Sequence, residues 1–85
     1  PHSPKAPLMI ALELTQQGRM DEAGGFFIEA VQIAPGSLEA QFNLAVFLAK
    51  QGRNAEAAEH FKQALRINPS SPAARQWLQQ LGINN

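Results

Sequence analysis

An 85-residue chain can form one small domain, close to the lower size limit at which a single hydrophobic core is stable, so a large active-site cleft is not expected. Seven basic residues balance seven acidic ones, which leaves no net charge to attract nucleic acid or an anionic membrane. The chain has no cysteine, which excludes disulfides and thiolate metal sites and leaves the redox compartment open.

The first segment, residues 1–6, is predicted to be a proline-rich linker or tail. "PHSPKAP" contains three prolines in seven residues and no apolar core, so it fits neither a signal peptide nor a transit helix. Because the chain is short and does not begin with methionine, we expect it to be a piece of a longer protein. No apolar run approaches the roughly 20 residues that a membrane span requires, so no membrane partner is expected.

The chain repeats itself with a period of 34 residues. Residues 4–37 and 38–71 align without a gap, and the identical residues fall at turn and packing positions. They include Gly18/Gly52, Ala23/Ala57, Phe27/Phe61, Ala30/Ala64 and Pro35/Pro69. A period of this length is typical of arrays in which each repeat is one supersecondary unit.

Each repeat is predicted to be a pair of helices. In the second repeat, Leu44 and Leu48 recur four residues apart, and Ala57, Phe61 and Ala64 follow at i, i+4 and i+7. Both spacings place apolar side chains on one face of a helix. The two stripes therefore indicate two helices that pack against each other.

Glycine and proline mark where these helices end. Gly18 and Gly52 fall between the helices of each pair, where a left-handed backbone conformation costs glycine nothing. Pro35 and Pro69 are predicted to stop the second helix of each pair.

Residues 72–85 are predicted to form a capping helix and a tail. Ser71 is placed to cap this fifth helix, and Pro72 suits its first turn. The helix is expected to run to Leu81 and to end at Gly82.

The pattern resembles the tetratricopeptide repeat family, a helix-turn-helix unit of 34 residues with the motif W-x2-L-G-x2-Y, then A-x3-F, then P. The second repeat carries "LAVFL", "AAEHF" and Pro69, and the first carries "IALEL", "AGGFF" and Pro35. Gln41 and Pro7 replace the family's tryptophan. The resemblance implies an all-α, right-handed superhelix of helix pairs with five helices, a role in protein–protein interaction, and no enzyme activity.

Pentatricopeptide repeats, which are helix pairs about one residue longer and bind RNA, are the closest alternative. The gapless period and the balanced charge favour the first family, so no nucleic-acid partner is expected.

The chain shows no arrangement of residues for catalysis or metal binding. His2 lies in the proline-rich tail, and His60 is expected to lie in a solvated charge cluster with Glu56 and Glu59. A nucleophile needs an adjacent base and a group that orients the base, and a metal needs three or four converging ligands. We therefore expect no catalytic residue, no metal and no cofactor.

In stacked helix pairs the first helix of each pair lines the concave face. We call the predicted binding surface on these helices the concave groove; it comprises Lys5, Leu8, Met9, Leu12, Phe42, Asn43, Val46, Lys50 and Trp77. Its apolar centre and polar edges predict a protein or peptide ligand.

Two of these residues allow a second interpretation. Some family members hold a peptide carboxylate with a clamp of Lys, Arg and Asn, and only Asn43 matches that clamp here. Asn43 either hydrogen-bonds a ligand backbone or simply solvates its helix. Trp77 either anchors a ligand or covers the exposed end of the array.

A second predicted surface is a self-association face, formed by Gly24, Gly25, Phe26 and Ile28. The second repeat is polar where Phe26 and Ile28 stand, and an exposed apolar patch usually marks an interface. The partner would be a neighbouring repeat of the parent protein or a second copy of the chain. The two glycines are predicted to lie inside a helix, where they either lower its stability without a function or provide a contact surface.

A third interpretation of the chain is that it forms a regulatory segment of a larger enzyme, such as a glycosyltransferase.

Overall fold

The computed structural model of the chain describes residues 3–82, which form five α-helices and no strand. The helices are α1 (Lys5–Gln16), α2 (Met20–Ile33), α3 (Leu38–Lys50), α4 (Asn54–Ile67) and α5 (Pro72–Gln80). The closest packing is within the pairs α1–α2 and α3–α4, and α2 then packs on α3 and α4 on α5. The predicted all-α fold of stacked helix pairs is confirmed. Within residues 3–82, no helix is long and apolar enough to cross a membrane.

The turns inside the two pairs have the predicted geometry. Gly18 and Gly52 adopt φ values of 78° and 79°, in the left-handed region that favours glycine. In each turn the following residue, Arg19 or Arg53, donates its backbone N–H to the carbonyl five residues earlier at 2.9 Å. This bond satisfies a carbonyl that the end of a helix otherwise leaves without a partner. Equal turns therefore give the two pairs the same local geometry.

Serine caps begin the helices that follow each pair. The Ser37 hydroxyl accepts a hydrogen bond from the Ala40 amide at 3.1 Å, and Ser71 accepts one from Ala74 at 3.4 Å. The predicted cap at Ser71 is confirmed. Such caps satisfy amides that lack a partner in the first turn and typically contribute about 1 kcal/mol.

Helix α1 begins earlier than the sequence indicates. Residues 5 and 6 belong to the helix rather than to the predicted linker, and Pro7 occupies its third position. The amides of the first turn have no acceptor within the helix, so a proline there removes no hydrogen bond. Residues 1 and 2 lie outside the described residues.

Alanine occupies most of the contacts between the helices. Eight alanines have no exposed surface, namely Ala11, Ala23, Ala30, Ala40, Ala45, Ala57, Ala64 and Ala74. Phe27 and Phe61, which are 3% and 0% exposed, supply the large apolar volume of the core. Because a methyl group is small, the helix backbones lie close together along these rows.

A buried glutamine connects α3 to its surroundings. Gln41 is 4% exposed, and its Nε2 donates to the Pro35 carbonyl at 2.8 Å. Its Oε1 lies 2.8 Å from Nδ1 of His60 on α4. Since Oε1 can only accept, Nδ1 is the nitrogen of His60 that carries the proton. Gln41 thus joins the loop after α2 to α4.

The sequence predicted that His60 lies in a solvated charge cluster, but the structure does not place its ring in solvent. Its ring is partly buried, and burial lowers its pKa below the ordinary value of 6.5, against the opposing effect of Glu56 and Glu59. The desolvation of the ring outweighs the attraction of the two carboxylates, both of which are exposed to solvent that weakens their effect.

The lowered pKa predicts that acid destabilises the fold through His60. Above pH 6.5 the ring is neutral in both states and has no effect; as the pH falls through 6.5, the unfolded chain takes up the proton first. The free energy of unfolding should therefore decrease as the pH is lowered from about 7.5 to 5, and less so for His60→Gln. Urea titrations at several pH values measure the difference. Equal slopes for the two proteins would contradict this account.

Candidate functional site

Four predicted groove residues surround one opening between α1 and α3. Leu12, Asn43, Val46 and Lys50 line a cavity of about 90 Å³, which we call the socket. The socket is further lined by Thr15, Met20, Phe27, Phe47 and Gln51.

Two aromatic rings form the inner part of the socket. Phe27 is almost fully buried, and its ring centroid lies 5.3 Å from that of Phe47 at an angle of 41°. At the outer part of the socket, Leu12 is 43% exposed. Lys50 is the one charged side chain among the lining residues. An apolar interior with a polar rim suits a single apolar side chain of a ligand.

The remaining predicted groove residues lie outside the socket. Lys5 and Met9 are exposed on α1, Met9 by 63%. Phe42 and Trp77 both rest on Phe61, at centroid distances of 5.6 Å and 5.4 Å, and the Trp77 ring is stacked at 13°. This contact supports the interpretation of Trp77 as a cover for the end of the core.

Leu8 was expected in the groove, and this prediction is wrong. It is 2% exposed and belongs to the hydrophobic core. Leu8 lies one turn before Ala11, so both side chains lie on the face of α1 that packs against α2. Leu8 therefore packs in the core and offers no surface to a ligand.

The predicted self-association face is not one surface. Phe26 and Ile28 are separated by about 200° around α2, because each helical residue turns the chain by about 100°. Ile28 is 48% exposed beside Leu44 and His60, in the groove between α2 and α4. Gly25 faces open space, whereas Gly24 is buried. Gly25 and Ile28 are exposed one turn apart and line the same opening beside Gly24, whereas Phe26 lies on another side of the helix.

Phe26 lies on the side of α2 that faces away from the second pair. It stands where the second repeat has His60, and His60 borders the groove toward α2. Because Phe26 is the equivalent of His60, it faces the side of the first pair on which a preceding helix would pack.

Sequence reasoning missed Phe47, which was not assigned to the groove. A signal was present, because the equivalent residue of the first repeat is Glu13. An aromatic residue that replaces a charged one between sibling repeats indicates a local change in packing or binding.

Within residues 3–82, no three His, Asp or Glu side chains gather where they could hold a metal ion. Arg19 pairs with Glu22 at 2.8 Å and Arg53 with Glu56 at 2.6 Å, but both pairs are more than half exposed. Exposed pairs of this kind contribute little and belong to the helix starts.

Stacked helix pairs that repeat with one period define an α-solenoid. The family model of the tetratricopeptide repeat matches residues 14–81, and the chain belongs to the tetratricopeptide repeat family. This family generally mediates protein–protein interactions and is generally a non-catalytic scaffold. A search of curated proteins found no match.

Two adjacent residues test the assignment of the inner face. Leu8→Ala should lower the free energy of unfolding by about 2 to 4 kcal/mol, because it removes a buried side chain from the core. Met9→Ala, next in sequence but 63% exposed, should change it by less than about 0.5 kcal/mol. Chemical denaturation of the two variants measures both values. Similar losses at the two positions would mean that α1 is rotated relative to the described fold.

Proposed function

We propose that the chain binds a peptide or helical segment of another protein in its concave groove, with the socket as the anchor point. The observation that carries this proposal is an apolar opening on the inner helices that is lined by the exposed side chain of Leu12, with the exposed Met9 about one turn earlier on α1. Single exposed apolar residues are common, but a cluster with a polar rim marks an interaction surface. The general role of the family in protein interaction supports the same conclusion.

Asn43, at the polar rim of the socket, also supports the proposal. Its side chain is partly buried at the socket, and within the described residues it forms no hydrogen bond. A side-chain amide can donate to a carbonyl and accept from an N–H of an extended or helical ligand. Asn43 therefore suits a contact with a ligand backbone better than a capping role in its own helix.

Leu12→Glu tests the groove. Burial of a charge against an apolar ligand is unfavourable, so the affinity for bound peptides should fall by about ten-fold or more. Peptides are first selected from a display library of random dodecapeptides on the wild-type chain, and their dissociation constants are then measured by fluorescence anisotropy.

Ile67→Glu is the matched control. Ile67 is 38% exposed, close to the 43% of Leu12, and it lies at the end of α4 outside the groove. Circular dichroism should show that both variants are folded. If both bind selected peptides as the wild-type chain does, the groove is not the binding site.

Self-association is a second candidate function, favoured by one comparison between the repeats. Ile10 is 44% exposed, whereas its counterpart Leu44 is 4% exposed because the first pair covers it. Phe26 stands in the place of His60 on the same uncovered side. This end face, formed by Ile10 and Phe26, continues the pattern by which one pair packs on the next. A second copy of the chain is the proposed occupant.

Ile10→Lys tests this second function. Sedimentation equilibrium of the wild-type chain should show a dimer that forms as the concentration rises, and the lysine should prevent it by placing a charge in an apolar contact. Lys50→Gln, which alters the groove alone, should leave the dimer intact. A well-folded monomer at every accessible concentration would exclude self-association through this face.

A further inference from the structure

Phe47 lies against the backbone of α2 at a glycine. A Cβ atom at Gly24 would lie 3.0 Å from both Cε2 and Cζ of the Phe47 ring, closer than carbon atoms normally approach. At Gly25, the next residue, a Cβ atom would meet nothing within 4 Å. The two glycines therefore differ: only the first makes room for a neighbouring side chain.

The second repeat combines different residues at the equivalent positions. Ala58 corresponds to Gly24 and Leu81 to Phe47, so a larger residue on the second helix accompanies a smaller one on, or directly after, the following helix. Ala58 is buried in the core, and Leu81 is partly buried and packs against it. Exchanges that conserve the total volume are the ones that a packed interior tolerates. Relative to the second repeat, the first repeat thus lacks a methyl group at Gly24 and has a larger side chain at Phe47.

The ring that Gly24 accommodates is also part of the socket. Phe47 borders the opening together with Phe27 and Val46. A methyl group at Gly24 would shift the ring relative to Phe27, on which it packs at 5.3 Å. The shape of the socket therefore depends on a residue that does not itself line it.

The size and charge of the socket define what it can hold. Its volume of about 90 Å³ is smaller than the roughly 150 Å³ of an apolar cavity that binds benzene, so an aliphatic side chain fits better than an aromatic ring. Lys50 supplies the one charge among the lining residues, which favours a carboxylate beside the inserted side chain.

We propose that the socket receives one Leu, Ile or Met side chain of a peptide that carries Asp or Glu next to it, and that Gly24 is the positioning residue that keeps the Phe47 ring against α2. This inference rests on the proposed function of the concave groove. It names the anchor residue of the ligand and the residue on α2 that determines which anchor fits.

The test begins with peptides selected from random dodecapeptides on the folded wild-type chain. Enriched peptides should share an aliphatic residue next to an acidic one. Their affinity should fall by about ten-fold for Gly24→Ala, since a change of one methyl group in an apolar pocket has effects of this size. Gly25→Ala is the matched control and should bind within about two-fold of the wild-type chain, because it lies in open space.

A purely structural role for Gly24 would not change which peptides bind, so the selection is repeated on two further variants. Phe47→Leu should enlarge the socket and shift the preferred anchor from an aliphatic to an aromatic side chain. Gly24→Ala combined with Phe47→Leu reproduces the pair of the second repeat, should fold even if Gly24→Ala alone does not, and should show the same shift.

The outcomes separate this inference from the proposed function. If no peptide is enriched on the wild-type chain over the Leu12→Glu variant, binding in the groove is itself excluded. If peptides bind and require Leu12 but carry aromatic anchors, or bind Gly24→Ala as tightly as Gly25→Ala, only the inference about the socket is overturned. An unchanged anchor preference in both Phe47→Leu variants would overturn it as well.

Discussion

The close approach of helix backbones along rows of buried alanines is the constraint on which the rest of this structure depends. Ala11 packs in the first pair and Ala45 in the second without any exposed surface. Because methyl groups fill the crossings, the larger side chains are displaced to the borders of the contacts. Some of these, such as Phe27, complete the core, and others, such as Leu12, remain on the inner face where a ligand can reach them. The same packing therefore provides both the stability of the pairs and the apolar surface.

The candidate site arises from differences between two repeats that share one backbone plan. Glu13 and Phe47 are equivalent, as are Met9 and Asn43, yet only the second member of each pair lines the socket. The third difference, Gly24 in place of alanine, lies behind the socket and accommodates Phe47. Substitutions at a few positions can thus create a specific opening in an array whose helices, turns and caps stay the same.

Local sequence signals predicted the helices well. Gly52 and Ser71 act through their own backbone and nearest neighbours, so the turn and the cap can be predicted without knowledge of the fold. The side on which a residue lies was harder to predict. Leu8 sits at the boundary between the stripe that faces α2 and the inner face, and a difference of one position decides its burial.

The contact between Gly24 and Phe47 was the least predictable feature. It joins two helices across 23 residues of sequence, and neither the period nor the apolar pattern specifies which side chains meet. Likewise, the pattern correctly marked Phe26 and Ile28 as unusual for their positions. The prediction that both residues belong to one face was wrong, because residues two apart on a helix face nearly opposite directions. Such features depend on the three-dimensional packing of elements that are each predictable alone.

The outer surface of α5 limits how copies of this chain can assemble. Its exposed residues are mainly polar, including Arg75, Gln76 and Gln79, whereas the opposite end of the array exposes Ile10. An apolar end and a polar end complement each other poorly, which disfavours head-to-tail joining of copies into an open filament. Two copies that associate through the apolar end would instead pair that end with itself about a two-fold axis, an arrangement that closes at two chains.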